Sequence, residues 1–236
     1  MEYLLIDIGA VSVPFIYSFH SKLRFNEKWK AFALAVLISG IPFLIWDSIF
    51  TFNGVWGFTP DYLIGVDLFS LPLEEYLFFL CIPYACVFTY HCFSKIWFKS
   101  DFVLFGKYVM NALILLMSIS AILYYDRQYT FITSVGFLGL LLFLKFYARP
   151  KWIGRFFMTY SVLLIPFVIV NGLLTGTGFD TPIVWYNDAE NIGFRLLSIP
   201  VEDVFYGMFL VLLIVTLYEK FNERFEQSEA NTRISL

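Results

Sequence analysis

Pro72-Leu73-Glu74-Glu75 opens the run PLEEYLFFLCIPYACVFTY (residues 72–90), and Pro200-Val201-Glu202-Asp203 opens PVEDVFYGMFLVLLIVTLY (residues 200–218). In each, a proline and two adjacent carboxylates stand at the first turn of a stretch long and apolar enough to cross a bilayer, for which about 20 residues suffice. An ionisable side chain in such a helix costs roughly 2.5–3.5 kcal/mol at the centre and less near the ends. Proline at the first helical position and acids beside the N-terminal dipole are also ordinary helix-start chemistry. A cap needs one acid, however, and here two adjacent acids occur twice. The pairs are therefore candidate functional groups.

The surrounding composition agrees with membrane helices. Of 236 residues, 59% are hydrophobic and only 15% charged, and the mean hydropathy is +0.73; soluble domains carry about a quarter charged residues. The chain reads as an all-α polytopic membrane protein with no separate soluble domain. Helices are expected at about 3–20, 31–51, 72–93, 102–124, 129–147, 153–174 and 198–219. Glu2 and Asp7 oppose a signal-peptide reading of the first run, which is expected to remain as a helix. Cys81, Cys86 and Cys92 share one apolar run and read as small fillers. His20 and His91 sit at helix ends away from the acids, so no metal is expected.

Charge is polarised along the bundle. Lys22, Arg24, Lys28, Lys30, Lys95, Lys99, Lys107, Lys145, Arg149, Lys151, Arg155, Lys220, Arg224 and Arg233 fall on one side of a seven-helix arrangement, and of the 16 basic residues only Arg127 and Arg195 fall on the other. The positive-inside rule then puts the N-terminus outside and the C-terminus in the cytoplasm. Most acids, including both motif pairs, fall on the outer side.

The chain also repeats itself. Ile41-Pro42-Phe43-Leu44-Ile45-Trp46-Asp47 returns as Ile165-Pro166-Phe167-Val168-Ile169-Val170-Asn171, with Thr51 and Thr175 each four residues on, and Lys28-Trp29 returns as Lys151-Trp152. With the acidic motif, the offsets are 123, 124 and 128 residues. Two three-helix repeats are therefore expected, residues 1–95 and 128–220, joined by a connecting helix over 96–127 and followed by a polar cytoplasmic tail, 221–236. One connecting helix makes the repeats parallel, related by an axis along the membrane normal. Both motifs then reach one membrane side and can face one cavity.

Burial and a like-charged neighbour favour the neutral carboxyl, whereas the helix dipole favours the ionised one. Unequal surroundings can thus leave an acid and a base in one site. Glu74, Glu75, Glu202 and Asp203 are the candidate catalytic groups. The first acid of each pair is preferred, because neighbours on a helix point about 100° apart and one of each pair is expected to face the cavity. Asp47 and Asn171, equivalent by the repeat, either line the same cavity or cap their helix ends. Arg195 either neutralises a carboxylate near it or snorkels at the interface. Trp46, Trp56 and Trp185, in and beside aromatic-rich loops at 52–69 and 176–194, supply ring faces that stabilise cations.

Duplicated Pro-x-Glu-(Glu/Asp) motifs in small repeated membrane units resemble the heterodimeric type of lycopene cyclase, whose two short subunits also occur fused. The resemblance covers nearly the whole chain. It implies redox-neutral closure of β-ionone rings at the acyclic ends of lycopene: a carboxylic acid protonates a terminal double bond, an internal double bond attacks the cation, and a base removes a proton whose position sets the ring type. It implies no cofactor, an acyclic carotenoid substrate taken from the lipid bilayer, other carotenoid-pathway enzymes as partners, no nucleic acid, and a bacterial-type inner membrane. No GxGxxG dinucleotide fingerprint is present. A small-solute transporter with a three-plus-one-plus-three repeat is the alternative, but transporters place their polar sites near the midplane, whereas these acids lie at one end. A retinal-type photoreceptor would need a lysine within 198–219, and there is none.

The orientation is testable by single-cysteine labelling after removal of the three native cysteines. Positions 61 and 188 are expected to react from outside the cell; reaction from the cytoplasmic side alone reverses the topology.

Overall fold

The computed structural model describes residues 1–97 and 100–234. Lys99, the side chain of Arg233 and the last two residues of the tail lie outside the described residues. Seven α-helices form the bundle: α1 (Glu2–Tyr17), α2 (Trp29–Phe52), α3 (Leu73–Cys92), α4 (Val103–Leu123), α5 (Gln128–Phe143), α6 (Ile153–Leu174) and α7 (Val201–Ile234). Single π turns, Phe93–Trp97 and Leu144–Ala148, prolong α3 and α5. Six of the seven helices are long and apolar enough to cross a membrane, which makes the chain an integral membrane protein.

Two helices depart from the expected lengths. The 16 residues of α1 give about 24 Å at 1.5 Å per residue, short of the roughly 30 Å of a hydrocarbon core. The helix stops because the chain turns at Ser18–Leu23 and Arg24 adopts a left-handed φ of 51°. At the other end, α7 runs 34 residues, so the polar stretch from residue 221 continues the helix. There Lys28 Nζ meets Glu226 Oε1 at 2.6 Å.

Packing follows the repeat. α1 lies against α3 as α5 lies against α7, and α2 lies against α7 as α6 lies against α3. The equivalence is not complete: α2 packs along α7 more closely than α6 along α3. The connecting helix α4 covers α5 and reaches α6. It crosses α6 where Gly106 and Gly154 bring the backbones together; a Cβ on Gly154 would stand 2.2 Å from the Phe102 carbonyl oxygen.

Short strands close the motif end of the bundle. A tight hairpin of β2 (Asp67–Leu68) and β3 (Leu71–Pro72) delivers the chain into α3, and one of β5 (Arg195–Leu196) and β6 (Ile199–Pro200) delivers it into α7. Phe69 and Ser70 turn the first hairpin with φ of 49° and 64°, the type I′ geometry that matches strand twist. β1 (Trp56–Phe58) and β4 (Val184–Tyr186) pair antiparallel about Gly57 and Trp185, joining the two inter-helix loops. These residues lie 128 positions apart, so the pair sits where a twofold axis relating the halves would pass.

Gly154→Ala is expected to force α4 off α6 and cost about 1–3 kcal/mol, the usual range for overpacking. A lowered unfolding temperature in detergent checks it; an unchanged one would show that the close crossing carries no stability.

Candidate active site

A cavity of about 430 Å³ opens between α1, α3, α6 and α7 beneath the strands. Three prolines inside helices, Pro14 of α1, Pro83 of α3 and Pro166 of α6, line it. Proline removes an i→i−4 hydrogen bond and its ring pushes the preceding turn aside, which explains why the helices stand apart here. Gly9, Val13 and Pro166 border the cavity yet are exposed on the bundle flank, so its mouth faces sideways between α1 and α6.

At the motif end, the second acid of each pair points into this cavity and the first does not. Glu75 and Asp203 line it together with Asp47 and Asn171. Tyr3, from the first turn of α1, donates its hydroxyl to Glu75 Oε2. Tyr129, from the first turn of α5, donates to Asp203 Oδ1. Asp203 Oδ2 accepts Asn171 Nδ2 at 2.7 Å and the Tyr186 hydroxyl at 3.0 Å. Asp47 Oδ1 accepts the Trp56 indole N–H at 2.5 Å, and Asp47 Oδ2 is buried without a hydrogen-bond partner. Burial, then the adjacent Asp203 charge, pushes the Tyr186 phenol well above its ordinary value, so it remains a donor.

Glu74 and Glu202 turn toward the loops instead. Glu74 Oε1 accepts the backbone N–H of Ile64 at 2.6 Å, and Glu202 Oε1 that of Ile192 at 2.7 Å, each ten residues upstream. Glu202 Oε1 also accepts the Thr130 hydroxyl at 2.5 Å. The remaining oxygen of each is buried without a hydrogen-bond partner, as are both oxygens of the neighbouring Asp7. Glu202 borders a smaller cavity, about 270 Å³, between α4, α5 and α7. Among the described residues no lysine or arginine pairs with any of these six acids.

Aromatic rings surround the space between Glu75 and Asp203. Trp56 lies 5.0 Å from Tyr129 and 6.2 Å from Tyr206, ring centre to ring centre, and Tyr129 stacks on Tyr186 at 5.8 Å. All four border the cavity. A ring face carries negative quadrupole density, so such a box favours a cation held between two carboxyls.

Of the other sequence candidates, Trp56 joins the box. Trp46 stands behind it, packed on Tyr206 at 5.0 Å. Trp185 lies over Gly57, where an added Cβ would meet its ring at 2.4 Å, and is 41% exposed. Arg195 pairs with Asp188 at 2.5 Å rather than with a motif acid. Asp47 and Asn171 both reach the cavity. Geometry separates the two acids of each pair: Glu74 and Glu202, the acids preferred from the sequence, accept loop N–H groups, while Glu75 and Asp203 face the cavity. Tyr3, Tyr129, Tyr186 and Tyr206 were not among the sequence candidates. Tyr3 and Tyr129 carried a signal, since Tyr3-Leu4-Leu5-Ile6 and Tyr129-Thr130-Phe131-Ile132 match at an offset of 126.

Comparison with known proteins agrees with this architecture. The family profile described as lycopene cyclase matches residues 1–93 and 126–221, leaving out all of α4. The chain belongs to that family. A bifunctional lycopene cyclase/phytoene synthase of Aspergillus niger is 26% identical over 169 residues, 68% of this chain and 27% of that protein. One of Podospora anserina is 33% identical over 90 residues, 38% of this chain and 14% of that protein. A third, of Leptosphaeria maculans, is 35% identical over 63 residues. Each match covers less than a third of the relative's length. No solved structure matches the chain significantly.

Removing the Glu202 acceptor strands the Ile192 N–H and the Thr130 hydroxyl, so Glu202→Ala is expected to cost about 1–3 kcal/mol and to open the 187–194 loop to protease. Glu202→Gln, which keeps an oxygen in place, is expected to retain most of that protection. Equal cleavage of all three proteins would dismiss the latch.

Proposed function

We propose that this member of the lycopene cyclase family closes β-ionone rings at the acyclic ends of lycopene, giving β-carotene when both ends react. One observation carries the reading: a carboxyl from each acidic motif, Glu75 and Asp203, borders a single cavity whose walls, apart from Asp47, Asn171 and Thr89, are apolar or aromatic. A cation formed there meets ring faces and carboxyl oxygens and little water, the conditions under which a carbocation survives long enough to cyclise.

The proton bookkeeping suits the residues. A carboxyl of the site adds its proton to the terminal double bond of the end group and leaves a tertiary cation. The next suitably placed double bond attacks, a carbon–carbon bond closes the six-membered ring, and the positive charge moves onto the ring. A carboxylate then removes a ring proton and restores a double bond. Product and substrate are isomers and no electrons change hands, so the reaction as written calls for no redox cofactor. Tyr3, Tyr129, Tyr186 and Asn171 orient the carboxyls; Trp56 and Tyr206 complete the wall. Glu74 and Glu202 support the site by fixing the loops above it.

The sideways mouth between α1 and α6 suits a long hydrocarbon taken directly from the bilayer. The matching hydrogen bonds of the two halves support residues 1–95 and 128–220 as two repeats, with 96–127 as connector. The basic end of the bundle supports a cytoplasmic C-terminus in a bacterial-type inner membrane, where enzymes that make and modify carotenoids would be its neighbours.

Expression in cells that accumulate lycopene is expected to convert the red pigment to β-carotene without added flavin or nicotinamide. Glu75→Gln and Asp203→Asn are each expected to lower conversion by about 10²-fold or more, the usual contribution of general acid–base catalysis. Unchanged pigment with folded, membrane-inserted wild-type protein would refute the reading, and near-normal conversion by both variants would remove these residues from the chemistry.

A further inference from the structure

The two halves match in their hydrogen bonds but differ in which groups make them. Glu75 and Asp203 are equivalent by the repeat, and each takes a tyrosine hydroxyl from the helix that opens its half, Tyr3 or Tyr129. Their surroundings differ in kind. Beside Asp203 stands Asn171, an amide that donates an N–H at 2.7 Å. The position equivalent to Asn171 in the first half is Asp47, a carboxyl that borders the same cavity as Glu75. Asp47 Oδ1 accepts the Trp56 indole N–H, its Oδ2 is buried without a hydrogen-bond partner, and Glu75 accepts the Tyr3 hydroxyl. The bundle around them is apolar and pairs no cation with either acid among the described residues, and a buried carboxyl oxygen that meets no donor favours the protonated form. Asp203 is the opposite case: Tyr129, Tyr186 and Asn171 all direct donors at it, which is the coordination of a carboxylate.

We propose that the repeats have divided the two proton transfers between them: the Asp47–Glu75 pair of the first half delivers the proton that starts cyclisation, and Asp203 of the second half removes the ring proton that ends it. The inference rests on the cyclase reading above. The atoms balance. A carboxyl of the pair loses its proton to a terminal alkene carbon, forming a C–H bond; the ring closes; Asp203 takes a proton from a ring carbon as the C–H electrons form the new double bond. The pair is then one proton short and Asp203 one proton rich, and exchange with water at the motif end resets both. Asp203 stands still during this, fixed by three donors, so its place relative to the ring decides which proton leaves and therefore which ring isomer forms. Asn171 and Tyr186 act as positioning residues for that choice.

The test separates rate from product. Glu75→Gln, Asp47→Asn, Asp203→Asn, Asp203→Glu and Asn171→Ala are expressed in lycopene-accumulating cells, membrane-inserted protein is quantified, and the pigments are resolved by chromatography. Glu75→Gln and Asp47→Asn are expected to cut conversion by about 10²-fold or more while leaving the ratio of ring isomers as in the wild type. Asp47→Asn installs the residue found at the equivalent position, so it keeps the shape and replaces the carboxyl with an amide that has no acidic proton to give. The three variants at Asp203 and Asn171 are expected to alter the ratio itself, toward rings with the double bond elsewhere or toward hydroxylated rings from capture of the cation by water. Asp203→Glu and Asn171→Ala retain a carboxylate, so they report on product choice even if Asp203→Asn is inactive or misfolded. An altered ratio in the first-half variants together with an unaltered one in Asp203→Glu and Asn171→Ala would overturn the division of roles. A wild type that makes no ring at all would instead refute the cyclase reading on which it rests.

Discussion

Six carboxyls are packed into the motif end of an apolar bundle with no basic side chain paired to them among the described residues. A buried carboxyl without a cation must find hydrogen-bond donors or keep its proton, because moving a bare charge from water into protein costs several kcal/mol even after relaxation. Much of the outer architecture answers that demand. Tyrosines enter from the first turns of α1 and α5, Trp56 descends from the strand that joins the halves, and Asn171 reaches up from the end of α6. Two loops bend inward to offer the N–H groups of Ile64 and Ile192. The same contacts that stabilise the acids order the loops, so the cap and the site form together.

Much of the fold was legible because membrane helices announce themselves by length and apolarity. The expected helix at 153–174 coincides with α6, and the others agree within a few residues at most ends. The exceptions have local causes. α1 ends early because the chain turns before the basic loop, and α7 runs on because the stretch after Lys220 is charged but contains no proline or glycine to stop it. The β1–β4 pairing was not legible: three-residue strands carry too little pattern to announce themselves, and their partners lie far apart in sequence.

The site was legible in part. That the acidic pairs, Asp47 and Asn171 gather at one end followed from the repeat. Which acid of each pair faces the cavity did not, since adjacent helical positions differ by about 100° and the sequence gives no absolute rotation. Loop contacts decide it here. A backbone N–H ten residues upstream captures the first acid in each half, and the second is left to the cavity. Had the repeat been followed into α1 and α5, Tyr3 and Tyr129 would have come with it.

The departures from symmetry are where chemistry becomes possible. Two identical halves would offer two identical acids, with nothing in their settings to decide which donates the proton and which accepts it. Three equivalent positions differ: Asp47 against Asn171, Asp7 against Thr133, and Glu75 against Asp203. The first two put additional carboxyls into the first half and neutral polar groups into the second. The packing differs in the same sense, with α2 closed along α7 and α6 held off α3 by the cavity. Two of the prolines bordering that cavity, Pro14 and Pro83, have Leu140 and Val211 at the equivalent positions, so the space opens where the two halves have diverged. A duplicated scaffold thus places two carboxyls opposite one another, and the substitutions that spoil the duplication make them unlike.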